Sequence, residues 1–132
     1  MDFKNVLEKV LQSPIIYDSC YKNKNSIDLS GWVLRKPKFI KNDKTGTESC
    51  SLILYQINQT MGELKIESFS LMVYVKDLID QLKTQDKVLY IATIGKLRYS
   101  KIVQGLYSQV TEMETLFELD IPLADEWNKK EN

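Results

Sequence analysis

Apolar and polar residues alternate with a period of two in five separate stretches of this chain, and that pattern restricts the fold more than any other feature. The first stretch, residues 26–33, sets Ile27, Leu29, Gly31 and Val33 against Ser26, Asp28, Ser30 and Trp32. Successive side chains leave a strand on opposite sides, so this is the signature of a half-buried strand. Residues 48–57 repeat it, with Cys50, Leu52 and Leu54 alternating with Ser51, Ile53 and Tyr55. Residues 64–75 are apolar on both faces, Phe69, Leu71, Val73 and Val75 opposing Met72 and Tyr74, which predicts a strand between two packed surfaces and a core position for Tyr74. The last two stretches are residues 88–101, interrupted at Gly95, and 106–119, joined by a turn at Gln104-Gly105. Between the third and fourth strands, residues 76–83 place Leu78, Ile79 and Leu82 at the spacing of a short helix.

Outside this region the period changes. Residues 2–12 carry Phe3, Val6, Leu7, Val10 and Leu11 at spacings of three and four, one apolar helical stripe with Lys4, Asn5, Glu8 and Lys9 opposite, closed by Pro14. Residues 17–25 read as a polar connection, and residues 58–62 as a loop. Gly31 predicts a bulge or sharp bend where a strand crosses between the sheets of a small barrel, and Asp43-Lys44-Thr45-Gly46 predicts a turn. After Pro122 the chain is a polar tail with a solitary Trp127. With 132 residues there is material for one core. The expected division is a helical extension at 1–24, a barrel at 25–119 and a short polar tail at 120–132.

Residue usage narrows the chemistry. There is no histidine, which removes Ser-His and Cys-His nucleophile pairs and the imidazole ligands of zinc. Glu112, Glu114 and Glu118 alternate with apolar residues as the solvated side of a strand, and Glu63 and Glu67 lie in a polar connection. No catalytic residue, metal site or cofactor is expected, and the chain reads as a binding protein rather than an enzyme. Cys20 and Cys50 are far apart and form no CxxC, so both are expected as plain buried or semi-buried thiols of a reducing cytoplasm. The charges in residues 1–14 leave no apolar run for a signal peptide or membrane span. Lysine plus arginine and aspartate plus glutamate both number 18, so only local charge distribution can indicate a partner.

Five strands with one short helix between the third and fourth is the element order of the all-β oligonucleotide-binding barrel, the OB fold. Spaced residues add to the count. Asn25-Ser26-Ile27-Asp28-Leu29-Ser30-Gly31, Pro37 six residues later, Gly46-Thr47 before Cys50, Leu52 and Leu54, Glu67-Ser68-Phe69, Leu78, Gly95-Lys96-Leu97-Arg98, and Tyr107 with Val110 occur in order. Over residues 25–119 the chain thereby resembles the bacterial and phage single-stranded DNA-binding protein family. It departs from that pattern at Ser70-Leu71, where the family commonly has His-Arg, and at Val75, where an aromatic is common. Asp120-Ile121-Pro122-Leu123 only faintly echoes the family's acidic recruiting tip. The N-terminal helix is an extension, which suggests a diverged member carried by a phage or mobile element and acting in the host cytoplasm.

Binding single strands without reading sequence requires cations for phosphates and flat rings for unstacked bases. Arg35, Lys36, Lys38, Lys41 and Lys44 fall within ten residues, bordered by Trp32 and Phe39. Tyr55 lies opposite the core residues of its strand, and the resemblance aligns Phe69 with a stacking aromatic. Lys96, Arg98, Tyr99 and Lys101 form a second basic-aromatic cluster, with Tyr107 across the turn. Each has an ordinary reading beside it: a solvated charge run, a tyrosine at a subunit contact, a core phenylalanine, an exposed loop tyrosine.

The resemblance implies a non-sequence-specific single-stranded DNA-binding protein that protects exposed strands in replication or recombination. It also implies a homo-oligomer, dimer or tetramer, with replication or recombination proteins as further partners. Two alternatives stay open. One is a barrel used as a protein-interaction or assembly module, and the other is an RNA-binding barrel, since stacking does not distinguish ribose from deoxyribose. The N-terminal helix serves as a docking element or packs on its own barrel.

Overall fold

The computed structural model describes residues 2–101 and 104–126; the expected tail beyond Glu126, with Trp127, lies outside the described residues. The elements are α1 (Phe3–Gln12), α2 (Ile16–Lys22), β1 (Ile27–Val33), β2 (Lys38–Lys41), β3 (Glu48–Thr60), β4 (Glu63–Val73), α3 (Lys76–Lys83), β5 (Lys87–Ser100) and β6 (Gly105–Pro122). Five strands close a ring in the order β1-β5-β6-β4-β3, with β1 meeting β3 again and β2 added on the outer edge of β3. All pairings are antiparallel except β4 with β6. This is the expected five-stranded OB fold with its short helix and N-terminal helical extension.

Ring closure depends on one crossing. β1 pairs with β3 at Trp32 and Tyr55. There a Cβ on Gly31 would stand 2.6 Å from the Tyr55 carbonyl oxygen and 2.9 Å from Leu54 Cγ. The expected bulge at Gly31 is absent, since the β1–β5 ladder runs through Gly31 and Ile91 without a shift. Glycine is present because two backbones touch. Register shifts fall instead in the β5–β6 ladder, between Lys87 and Leu89, between Tyr90 and Ile91, and between Ile94 and Gly95.

The core follows the period-two pattern. Val33, Cys50, Leu52, Leu54, Leu71, Val73, Leu89, Ile91 and Val110 point inward from the strands, and α3 adds Leu78, Ile79 and Leu82 at the β4-to-β5 connection. Each such large side chain contributes about 1.5–3 kcal/mol relative to exposure. α3 is also tied to β3 by the Lys83–Glu48 ion pair, 2.7 Å long.

Other expectations change. Residues within the expected 17–25 connection form α2, and β2 forms within the basic stretch just ahead of the expected turn at Asp43-Lys44-Thr45-Gly46. The 58–62 loop shrinks to a two-residue turn, because Thr60 pairs with Glu63 and both Met61 and Gly62 have positive φ. β4 is not sandwiched: Leu71 and Val73 are buried while Ser68, Ser70 and Tyr74 are exposed. β6 runs past Leu119 to Pro122, Leu123 is buried, and Ala124 bridges Arg35. Cys50 is buried as expected, but Cys20 is exposed.

Candidate nucleic-acid interface

Strand register assembles one continuous row across five strands on the outside of the barrel. Lys38 on β2 pairs with Ser51, Ser51 with Met72, Met72 with Gln109, and Gln109 with Lys96 on β5. Directly paired residues share a face, so these five side chains form a single line with a lysine at each end. A parallel line holds Ile53 beside Ser70, and Tyr107 beside Arg98. Tyr55 and Ser68 follow at the seam with β1. Small serines thus floor the centre, with cations and tyrosines at the margins.

Polar contacts fix several of these side chains. Arg98 Nε donates to Gln109 Oε1 at 3.1 Å. Tyr74 at the end of β4 is about half exposed, at 49%, and hydrogen-bonds Tyr107 through its side chain. Its hydroxyl is raised above the ordinary phenol pKa, first by desolvation and then by Tyr107. Tyr74 therefore stays a neutral donor at physiological pH and crowds no phosphate with charge. Tyr55 accepts a hydrogen bond from Arg35 Nε at 3.1 Å. Arg35 itself is half-buried, and its Nη1 donates to the Asp125 carbonyl at 3.4 Å. It orients Tyr55 at the seam.

The proposed site residues sort into two groups. Lys38, Tyr55, Lys96, Arg98 and Tyr107 share this face, and Trp32 stands beside Tyr55 across the seam. An open cleft of about 310 Å³ between Trp32, Tyr90, Gln56 and Asn58 leaves the Trp32 neighbourhood reachable from solvent. Lys36 is exposed next to Arg35. The others lie elsewhere. Phe39 and Phe69 are half-buried against the core, and the Lys83 ammonium sits 5.8 Å from the Phe39 ring centroid. Lys41 pairs with Glu48 in the opposite phase from Lys38, and Lys44 sits in the β2–β3 turn, its backbone N–H held by Asn42 Oδ1. Tyr99 alternates to the other side of β5 from Arg98, and Lys101 lies at the hairpin turn.

Sequence reading missed Tyr74, Ser51, Ser70, Met72 and Gln109. Alternation against Leu71 and Val73 was the available signal for Met72 and Tyr74, and their apolar character concealed it. The serines carry no signal without the register that aligns them.

The zero net charge conceals an uneven distribution. Farther along the outside of β5, beside the Lys96–Gln109 row, the rows across β1, β5 and β6 read Asp28–Ile94–Glu112 and Ser30–Ala92–Glu114. None of these acids lies on the row from Lys38 to Lys96. Among the described residues no cluster of three or more His, Cys, Asp or Glu is placed to hold a metal ion, and no helix is long and apolar enough to cross a membrane.

No protein-family description matches the chain, and no curated protein matches it. Solved structures do. The small single-stranded DNA-binding protein of Streptomyces coelicolor superposes with a TM-score of 0.56 at 13% identity, over 70% of this chain and 93% of that one. A Plasmodium falciparum single-stranded DNA-binding protein in complex with single-stranded DNA gives 0.57 at 18% identity, over 72% and 97%. The mitochondrial single-stranded DNA-binding protein Rim1 of Saccharomyces cerevisiae gives 0.63 at 7% identity, over 74% and 99%. The chain has the oligonucleotide-binding fold in the form these bacterial and mitochondrial single-stranded DNA-binding proteins share.

Proposed function

We propose that the chain binds single-stranded DNA without reading its sequence, on the outer face of β3 and β4 between Lys38 and the Lys96–Arg98 pair. The observation that carries this reading is the row Lys38–Ser51–Met72–Gln109–Lys96 with its flanking tyrosines, on a barrel shared with proteins of that activity. Phosphates are attracted by the terminal cations, and bases stack on Tyr55, Tyr74, Tyr107 and Trp32. The narrow distance between strands and the serine floor exclude no particular base, so recognition is by backbone and ring. The role that follows is a non-enzymatic coat for exposed strands in replication or recombination, in the cytoplasm, by a homo-oligomer. Fluorescence titration with oligo-dT, oligo-rU and duplex of equal length at two salt concentrations tests it. Tight dT binding with weak duplex binding is expected; equal affinity for duplex, or no binding, rejects the reading.

A further inference from the structure

The inward phase of β3 changes character where the barrel closes. Cys50, Leu52 and Leu54 fill the core, but the same phase continues as Gln56, Asn58 and Thr60. On β4 the phase of Val73, Leu71 and Phe69 likewise continues as the exposed Glu67, Lys65 and Glu63. The change coincides with the crossing of β1 and β3 at Trp32 and Tyr55, beyond which the β3–β4 ladder runs on to Thr60 and Glu63. No core lies under this part of the hairpin. Its polar side faces β1 instead, and Gln56 Nε2 donates to the Ser30 carbonyl at 3.0 Å.

Between hairpin and barrel lies the open cleft of about 310 Å³, lined by Ser30, Trp32, Gln56, Asn58 and Tyr90 among others. Sites for small molecules run from about 300 to 1,000 Å³, so this one suits a single nucleoside rather than a length of strand. One wall is aromatic. The Trp32 and Tyr90 rings meet at 71° with centroids 5.0 Å apart, a corner in which a flat base can lie on one ring with its edge toward the other. Phe117 backs Tyr90 at 5.5 Å. The other wall is amide. Gln56 has committed its Nε2 to Ser30 and keeps its carbonyl oxygen as an acceptor, while Asn58 carries both donors and an acceptor. A ring to stack on and amides for the polar edge are the two requirements of an unpaired base.

Charge and position connect the cleft to the row. Lys65, which pairs with Asn58, stands between Glu67 and Glu63 on the same side of β4, so this part of the hairpin has no positive surplus to gather phosphate by itself. A base reaches it as part of a strand already held elsewhere. Trp32 pairs with Tyr55, the tyrosine at the seam end of the proposed interface, and so joins the two sites directly. We propose that the cleft takes one base of the bound strand, which leaves the row at Tyr55 and tucks under the β3–β4 hairpin between the Trp32–Tyr90 corner and the amides of Gln56 and Asn58. This rests on the reading of the row as a single-strand site.

Oligo-dT of about 16 nucleotides, intact or with one abasic site moved through every position, tests this against the unaltered chain, Asn58→Ala and Ser30→Leu. The first variant removes an amide, and the second fills the cleft from β1 with a side chain that offers no stacking face. Asn58→Ala should lower affinity for the intact strand by about 2- to 10-fold, and Ser30→Leu by about fivefold or more. Neither removes a cation, so the slope of log affinity against log salt should stay unchanged in both. At one position the abasic site should cost the unaltered chain the same factor as Ser30→Leu does, and cost Ser30→Leu nothing further. Full affinity in both variants, a flattened salt slope, or abasic costs identical in Ser30→Leu and the unaltered chain overturns the cleft while oligo-dT binding by the row stands. Failure of the unaltered chain to bind oligo-dT overturns the proposed function and the cleft with it.

Discussion

Arg35 Nε donates a hydrogen bond to the Tyr55 hydroxyl at 3.1 Å, linking the segment after β1 to the outer face of β3. The ring of Tyr55 is thereby held where the barrel closes, next to Trp32. Ring and hydroxyl have separable roles. Tyr55→Ala removes a stacking surface and is expected to weaken oligo-dT binding by about 1–3 kcal/mol, roughly 5- to 150-fold. Tyr55→Phe keeps the ring and takes away an acceptor of the half-buried guanidinium, so affinity should hold while stability falls by about 1 kcal/mol. Titration and urea denaturation of both variants check the separation.

The salt dependence of binding distinguishes residues on the row from residues off it. Each phosphate neutralised on a single strand adds about 0.7 to the magnitude of the slope of log affinity against log salt. Lys38→Ala and Lys96→Ala, at the two ends of the row, should each flatten the slope by about that amount. Glu112→Gln, which lies off that row and removes no cation, should not flatten it. Titrations across a salt series settle the point; an equal effect of all three variants would place the strand elsewhere.

Strand order, the short helix and the inward residues were legible because burial imposes a period of two, and Cys50, Leu52, Leu54 and Ile91 all obey it. Pairing partners were not legible. Lys38 and Lys96 lie 58 positions apart (96 − 38), and only the parallel pairing of β4 with β6 aligns them. Tyr74 was assigned to the core because residues 69–75 are rich in apolar side chains on both phases. The structure solvates one phase, as an antiparallel barrel allows. Phe39 and Phe69 stand the other way: an aromatic beside cations resembles a stacking platform, and the structure sets both rings half-buried against the core.

Gly31 is required by proximity rather than by dihedral angle. A methyl group there would press on the Tyr55 carbonyl at 2.6 Å, a backbone atom that cannot swing aside. Gly31→Ala is therefore expected to cost about 1–3 kcal/mol and to loosen the Trp32–Tyr55 pairing of β1 with β3 that closes the ring. The urea midpoint measures the first effect. Hydrogen exchange at the Tyr55 and Trp32 amides measures the second.

Met61 occupies the first central position of the β3–β4 turn at φ 52° and is 99% exposed. A side chain gains no packing there, and a left-handed conformation is costly for most residues. With Gly62 following at φ 82°, Met61→Asn produces the preferred pair for such a turn and should stabilise the fold by about 0.5–1 kcal/mol. Thermal denaturation should show a higher midpoint with unchanged dT affinity, since the turn lies beyond the row from Lys38 to Lys96.

Cys50 gives the fold a defined weakness in alkali. Burial, and secondarily Glu48, push its thiol from 9.0 up to about 12. The unfolded chain therefore releases this proton at a lower pH than the folded one. Its contribution to stability is complete below about pH 9, and is lost progressively as pH rises toward 12. Tyr74, also raised, acts in the same direction. Cys50→Ala should cost roughly 1–2 kcal/mol near neutrality through the cavity it leaves, yet show a shallower decline of stability between pH 9 and pH 12 than the unaltered chain. Urea midpoints across that interval measure the difference. Iodoacetamide at pH 8 gives an independent reading, because exposed Cys20 should be alkylated in the folded protein while Cys50 reacts only after unfolding.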